Sequence, residues 1–247
     1  MTHNIVERAA RNNALWCDAV CRAHGYPGEF RDALWLNHGR TPPYYPHAVT
    51  LAGPQAASRQ VSALMELLTQ LRSQGRPAAV KDSFNCIDLS VCGLSPVFDA
   101  EWISCDPLAA EEETGRRGCR WQEIGTEPEL MAWEQAWSGG GMAVPEHDER
   151  RIFKPSLLSD PGIVFVSVLS DDTVVGGGIL NRGAEVVGLS NVFARSNDSQ
   201  AVRQGLIAKA AQKFPGLPLV GYERDSELVC AHRSGFRSIG SLRVWSS

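Results

Sequence analysis

Ile163-Val-Phe-Val-Ser-Val-Leu-Ser-Asp-Asp-Thr-Val-Val-Gly-Gly-Gly-Ile-Leu180, running on through Asn181-Arg-Gly183 to Glu185–Phe193, decides the fold. Its β-branched run Ile163–Leu169 reads as a strand, Asp171-Asp172 as a turn, and Thr173–Leu180 as a second strand. Asn181-Arg-Gly183 turns the chain into a third strand, Glu185–Phe193. The connections are too short for crossovers, so the meander is antiparallel.

Downstream the periodicity changes. Ser199–Phe214 reads as a helix, Leu217–Glu223 as a strand, Ser226–Ser234 as a helix and Phe236–Trp245 as extended chain. A helix between Glu185–Phe193 and Leu217–Glu223 makes those two strands parallel. The expectation is an α/β (α+β) fold: a mixed, mostly antiparallel central sheet flanked by helices. Upstream, Arg120–Ile124 reads as a strand and Glu127–Trp137 as a helix with Pro128 in its first turn.

Residues 106–118 are rich in charge and glycine, with Glu111-Glu-Glu113 followed by Arg116-Arg117. A boundary placed there divides the chain into residues 1–105 and 106–247. In the first part, Asn13–His24 and Ser58–Leu71 show helical spacing. Thr41-Pro-Pro-Tyr-Tyr-Pro46 excludes a helix. Ala48–Leu51 and Ala78–Val80 read as strands, Asn85–Cys92 as a short helix stopped by Gly93, and Pro96–Ile103 as extended chain. The aromatics Trp16, Trp35, Tyr44, Tyr45 and Trp102 either line a substrate pocket or fill the space between the two parts.

Composition is that of an ordinary globular chain: 43% hydrophobic, 21% charged, net charge −4. No basic run marks a nucleic-acid surface. No apolar stretch approaches the roughly 20 residues of a membrane span. Met1–Arg11 lacks the apolar segment of a secretory signal, so a cytoplasmic location is expected. The seven cysteines are scattered and read as free thiols; Cys17 and Cys21 read as small side chains on a helix, not as metal ligands. No P-loop, zinc motif or Ser-His-Asp signature is present.

The order of elements from Arg120 to Trp245, with the ending Ala231-His-Arg-Ser-Gly-Phe236 before a terminal hairpin, resembles the GCN5-related N-acetyltransferase (GNAT) superfamily. In that ending Gly235 supplies a left-handed helix cap and Phe236 returns to the core. The resemblance implies transfer of an acyl group from acetyl-CoA or another acyl-CoA to a primary amine, without a metal. It places the pyrophosphate of the co-substrate at Val192, Phe193, Ala194, Asn197, Asp198, Ser199, Gln200, Ala201 and Val202, where helix N-terminal amides meet phosphate. The family's glycines in this loop are replaced by Asp198, Gln200 and Val202, and a plain helix N-cap at Asp198 or Ser199 is the competing reading. The family's tyrosine acid is replaced by Ala231. Asn191, Tyr222, Glu223 and His232 are then the candidate catalytic residues, Glu223 as base, with an ion-paired strand-end carboxylate beside Arg224 as its alternative. Cys230 is a minor candidate nucleophile.

Residues 48–104 repeat the order of residues 185–245, with Gly93-Leu94 matching Gly235-Phe236. The first part therefore reads as a partial GNAT-like unit lacking the meander. The partners implied are acyl-CoA and an unidentified amine. The competing function is a catalytically degenerate protein that binds acyl-CoA or a partner without turnover.

Overall fold

The computed structural model describes residues 4–106, 119–139, 151–195 and 198–247. The chain forms two compact units, Met1–Trp102 with Ile239–Ser247, and Ile103–Ser238. The boundary expected within residues 106–118 lies almost wholly outside the described residues.

The first unit opens with α1 (Ile5–Ala23), which starts eight residues before the expected helix. Its start is fixed by a capping box, in which Asn4 caps Val6 N–H and Glu7 reaches back to the Asn4 N–H. Val6, Ala9 and Ala10 extend its buried stripe, and Cys17 and Cys21 lie buried on it. Three short strands follow: β1 (Glu29–Phe30), β2 (Leu34–Leu36) and β3 (Ala48–Thr50), paired antiparallel in sequence. α2 (Ala57–Ser73) buries Leu64, Leu67, Leu68 and Leu71 and carries the chain to β4 (Ala79–Asp82), parallel to β3. A short antiparallel meander is therefore present here, contrary to the expectation that this part lacks one. Its strands are two or three residues long, too short to leave an alternating pattern.

The helix expected over Asn85–Cys92 is instead a loop ending in a single 3₁₀ turn, Ser90–Cys92. Asn85 explains the difference: its φ of 48° lies outside the right-handed helical region, and the Asp82 carboxylate holds this turn by accepting from the N–H groups of Phe84, Cys86 and Ile87. Gly93 ends the turn in the left-handed conformation, as read. β5 (Ser95–Cys105) follows, and the unit's sheet is completed by the last strand of the chain, which pairs antiparallel with β4 from Arg243↔Asp82 to Ser246↔Ala79.

The second unit contains β6 (Arg120–Glu123), α3 (Glu127–Trp137), β7 (Ile163–Ser170), β8 (Thr173–Gly183) and β9 (Val186–Ala194), whose four strands are antiparallel in sequence. α4 (Ser199–Lys213) then leads to β10 (Leu219–Glu223), parallel to β9. α5 (Asp225–Arg233) and β11 (Arg237–Ser246) close the chain. The core of this unit joins Val164, Val166, Leu180, Val187, Leu206 and Phe236, whose burial from water is the main stabilising contribution.

Two glycines of this unit answer to packing. The three-glycine run in β8 alternates: a Cβ at Gly177 would strike Trp133 of α3, while one at Gly178 would strike Leu206 of α4. The helices thus cover opposite faces of β8. The expected terminal hairpin is a single strand, β11, because Gly240 stays extended within it, and Val6 lies where its side chain would be.

Candidate active site

The site is built where β9 leaves regular geometry. From Ile179↔Ser190 to Gly177↔Phe193 the ladder advances two residues on β8 and three on β9, so β9 carries a bulge. Asn191 occupies it with φ of 53°, in the left-handed region that Asn tolerates better than most side chains. On the other edge, β9 pairs with β10 only at Leu219↔Val187 and Val220↔Gly188. Gly221 still lies against the Leu189 carbonyl, where a Cβ would come within 2.9 Å. Beyond it β9 runs on to Ala194 and β10 to Glu223 with no ladder between them, while β9 stays paired with β8 at Phe193 and Ala194. The Ser190 hydroxyl, buried beside the bulge, has no hydrogen-bond partner among the described residues.

β9 points its end at the start of α4. Val192 packs over Gly178, and Phe193 meets Trp133 edge-on at 5.2 Å, so their side chains serve the core and their backbone borders the gap. Ala194 ends the strand, and Asn197 lies outside the described residues. Asp198 occupies the N-cap position of α4, yet its side chain makes no capping hydrogen bond. The amides of Ser199, Gln200 and Ala201 are the helix's first-turn donors, which have no intrahelical acceptor. Val202 differs: its N–H donates to the Asp198 carbonyl and its side chain is buried in the core, leaving it no donor for a phosphate. Ser199 and Gln200 line a cleft of about 490 Å³ with Ser226, Val229, Cys230 and Arg233 of α5. An uncapped helix N-terminus, flanked by an arginine and open to a cleft, fits a phosphate-bearing ligand.

Glu223 ends β10. Its partner is not Arg224, which pairs with Asp225 at 3.4 Å, but Arg203 of α4, at 2.9 Å. Arg203 also donates to Glu227 at 3.1 Å. Burial raises the Glu223 carboxyl above its ordinary range, and Arg203 opposes that rise. Sequence reading missed Arg203 because an arginine on a core-facing stripe beside Val202 and Leu206 looks out of place. Two carboxylates, one at a strand end and one a turn into the next helix, were the signal that a buried cation lies between them.

Tyr222 is half-buried on β10. His232 is exposed on α5, with Nε2 3.0 Å from Ser238 Oγ. Ala231, at the position of the family's tyrosine, is fully buried. Gly235 has φ of 95°, and the Phe236 N–H returns to the Ala231 carbonyl at 3.1 Å, the helix ending that was read from the sequence. Trp35 and Trp102 are buried, bonded to Asp18 and to the Ser83 carbonyl.

A GCN5-related N-acetyltransferase from Kribbella flavida superposes with a TM-score of 0.62 at 12% identity, covering 97% of this chain and 95% of that one. The fold is that of the GCN5-related N-acetyltransferases. A second such protein, from Sphaerobacter thermophilus, gives 0.55 at 11% identity over 98% of this chain and 92% of its own. A tandem GNAT protein from the clavulanic acid biosynthesis pathway gives 0.59 at 12%, over 87% and 78%. No family model and no curated protein sequence matches the chain.

Proposed function

We propose that this chain is an N-acyltransferase that moves an acyl group from acetyl-CoA or another acyl-CoA to a primary amine. The observation that carries the reading is the continuity of the bulged β9 with an uncapped α4 N-terminus that lines a cleft. The amides of Ser199, Gln200 and Ala201 hold the pyrophosphate beside Asp198, and the backbone of Val192, Phe193 and Ala194 guides the thioester arm. Asn191 turns the strand so that backbone donors polarise the thioester carbonyl.

The transfer forms a C–N bond and breaks a C–S bond, with one proton leaving the amine and one reaching sulfur. Glu223, desolvated and therefore a stronger base than a surface carboxylate, takes the first. Tyr222 and His232 are the remaining proton donors. Ala231 favours a second reading, acyl-CoA binding without turnover, because its methyl side chain supplies no acid at that place. Thiol release from acetyl-CoA across a panel of small amines, amino acids and peptides separates the two: amine-dependent release supports the enzyme, and binding without release supports the second.

The same reading treats residues 1–105 as a partial GNAT-like half and residues 106–247 as the acyltransferase half. The likeness to a tandem GNAT protein supports it, as does the shared order of β1–β4 and β7–β10, antiparallel twice and then parallel around a helix. A cytoplasmic setting accords with seven unpaired cysteines. No described helix is long and apolar enough to cross a membrane.

A further inference from the structure

The first unit holds a separate cleft of about 440 Å³, lined in part by Arg40, Pro42, Tyr45, His47 and Arg76. His47 sits just before β3 and is tied to Ala79: its N–H donates to the Ala79 carbonyl at 2.7 Å, and the Ala79 N–H lies 3.4 Å from its Nδ1. A backbone N–H only donates, so Nδ1 is the acceptor and the proton of the neutral ring sits on Nε2. His47 is 7% exposed and lines the cleft, and its ring bond among the described residues is the one at Nδ1. Nε2 is not sealed from water, so its N–H is open to an acceptor that enters the cleft His47 lines.

The surroundings specify its charge. Arg76 is fixed by the carbonyls of His38 and Gly39. Arg40 is exposed and makes no ion pair or hydrogen bond among the described residues. No Asp or Glu is among the described lining residues. Two guanidinium groups and a neutral N–H donor around apolar proline and tyrosine surface describe a receptor for an anion with a flat body.

We propose that this cleft binds a small organic anion, a carboxylate or phosphate ester, whose oxygen accepts from His47 Nε2–H between Arg40 and Arg76 and whose apolar body lies along Pro42 and Tyr45. The site is independent of acyl transfer. The test titrates the full chain, with ¹⁵N-labelled histidine, against benzoate and phenyl phosphate, identifying the His47 signals by their loss in His47→Gln. The expected result is a saturable shift of the His47 Nε2 signal with at least one probe, weakened about fivefold or more in Arg40→Ala, whose melting temperature is unchanged. Response to benzoate alone or to phenyl phosphate alone assigns the class. No saturable shift with either probe, or equal binding by Arg40→Ala, overturns the proposal.

Discussion

Arg203 and Glu223 form an ion pair at 2.9 Å in which the guanidinium is almost wholly withdrawn from water, its side chain 1% exposed. Nη1 lies at ion-pairing distance but outside hydrogen-bond geometry, and Nε also lacks a partner among the described residues. The pair is held by charge more than by directed bonds, and it joins α4 to the end of β10.

Removing the cation leaves Glu223 desolvated without compensation. Arg203→Met should lower unfolding free energy by about 3 kcal/mol, measured by urea denaturation. The double variant Arg203→Met with Glu223→Gln should recover most of the loss, since no buried charge then remains.

Glu223 also sets a pH dependence. Burial raises its folded pKa above the unfolded value of 4.5, so the folded state binds the extra proton. Its contribution to stability is therefore fully present below 4.5 and is lost as pH rises through the raised folded value. Denaturation of Glu223→Gln and the parent across that range should show the variant gaining relative stability with rising pH. In turnover, the acidic limb of the kcat/KM profile should vanish in Glu223→Gln.

His47 titrates with the opposite sign. Burial, then Arg76, lowers its pKa from 6.5 to about 4, so the unfolded chain binds the proton first. Its stabilising contribution is complete above 6.5 and falls away by about 3 kcal/mol as pH drops toward 4. His47→Gln should remove that segment of the stability curve in acid titration.

Gly205 of α4 gives Trp121 its place, for a Cβ there would lie 2.0 Å from the indole. Gly205→Ala should destabilise by about 2 kcal/mol or more despite its better helix propensity. Thermal unfolding of Gly205→Ala with Trp121→Leu should show the loss largely reversed.

Much of this was legible because the second unit is made of long, periodic elements. Glu127–Trp137 begins and ends as read, fixed by Thr126, Pro128 and Ser138, and Gly235-Phe236 closes α5 through a cap any glycine there would make. What escaped were features set by contacts distant in sequence. β1 and β2 are too short to carry a period. The left-handed Asn85, in a turn held by Asp82, keeps Asn85–Leu89 out of a helix and leaves no periodic signal. Near the candidate site, the start of α4 at Ser199 was legible from periodicity, while the bulge at Asn191 and the Arg203 pairing depend on register and tertiary burial.

In the proposed reaction the N-terminus of α4 receives the phosphates of acyl-CoA. The most direct measurement is calorimetric titration of the wild type and Ser199→Glu with acetyl-CoA. A glutamate at this position favours the helix dipole and so preserves the fold, while placing its charge in the cleft. Micromolar binding by the wild type, lost in Ser199→Glu, is the predicted result; no binding by the folded wild type, or equal binding by both, would contradict the account.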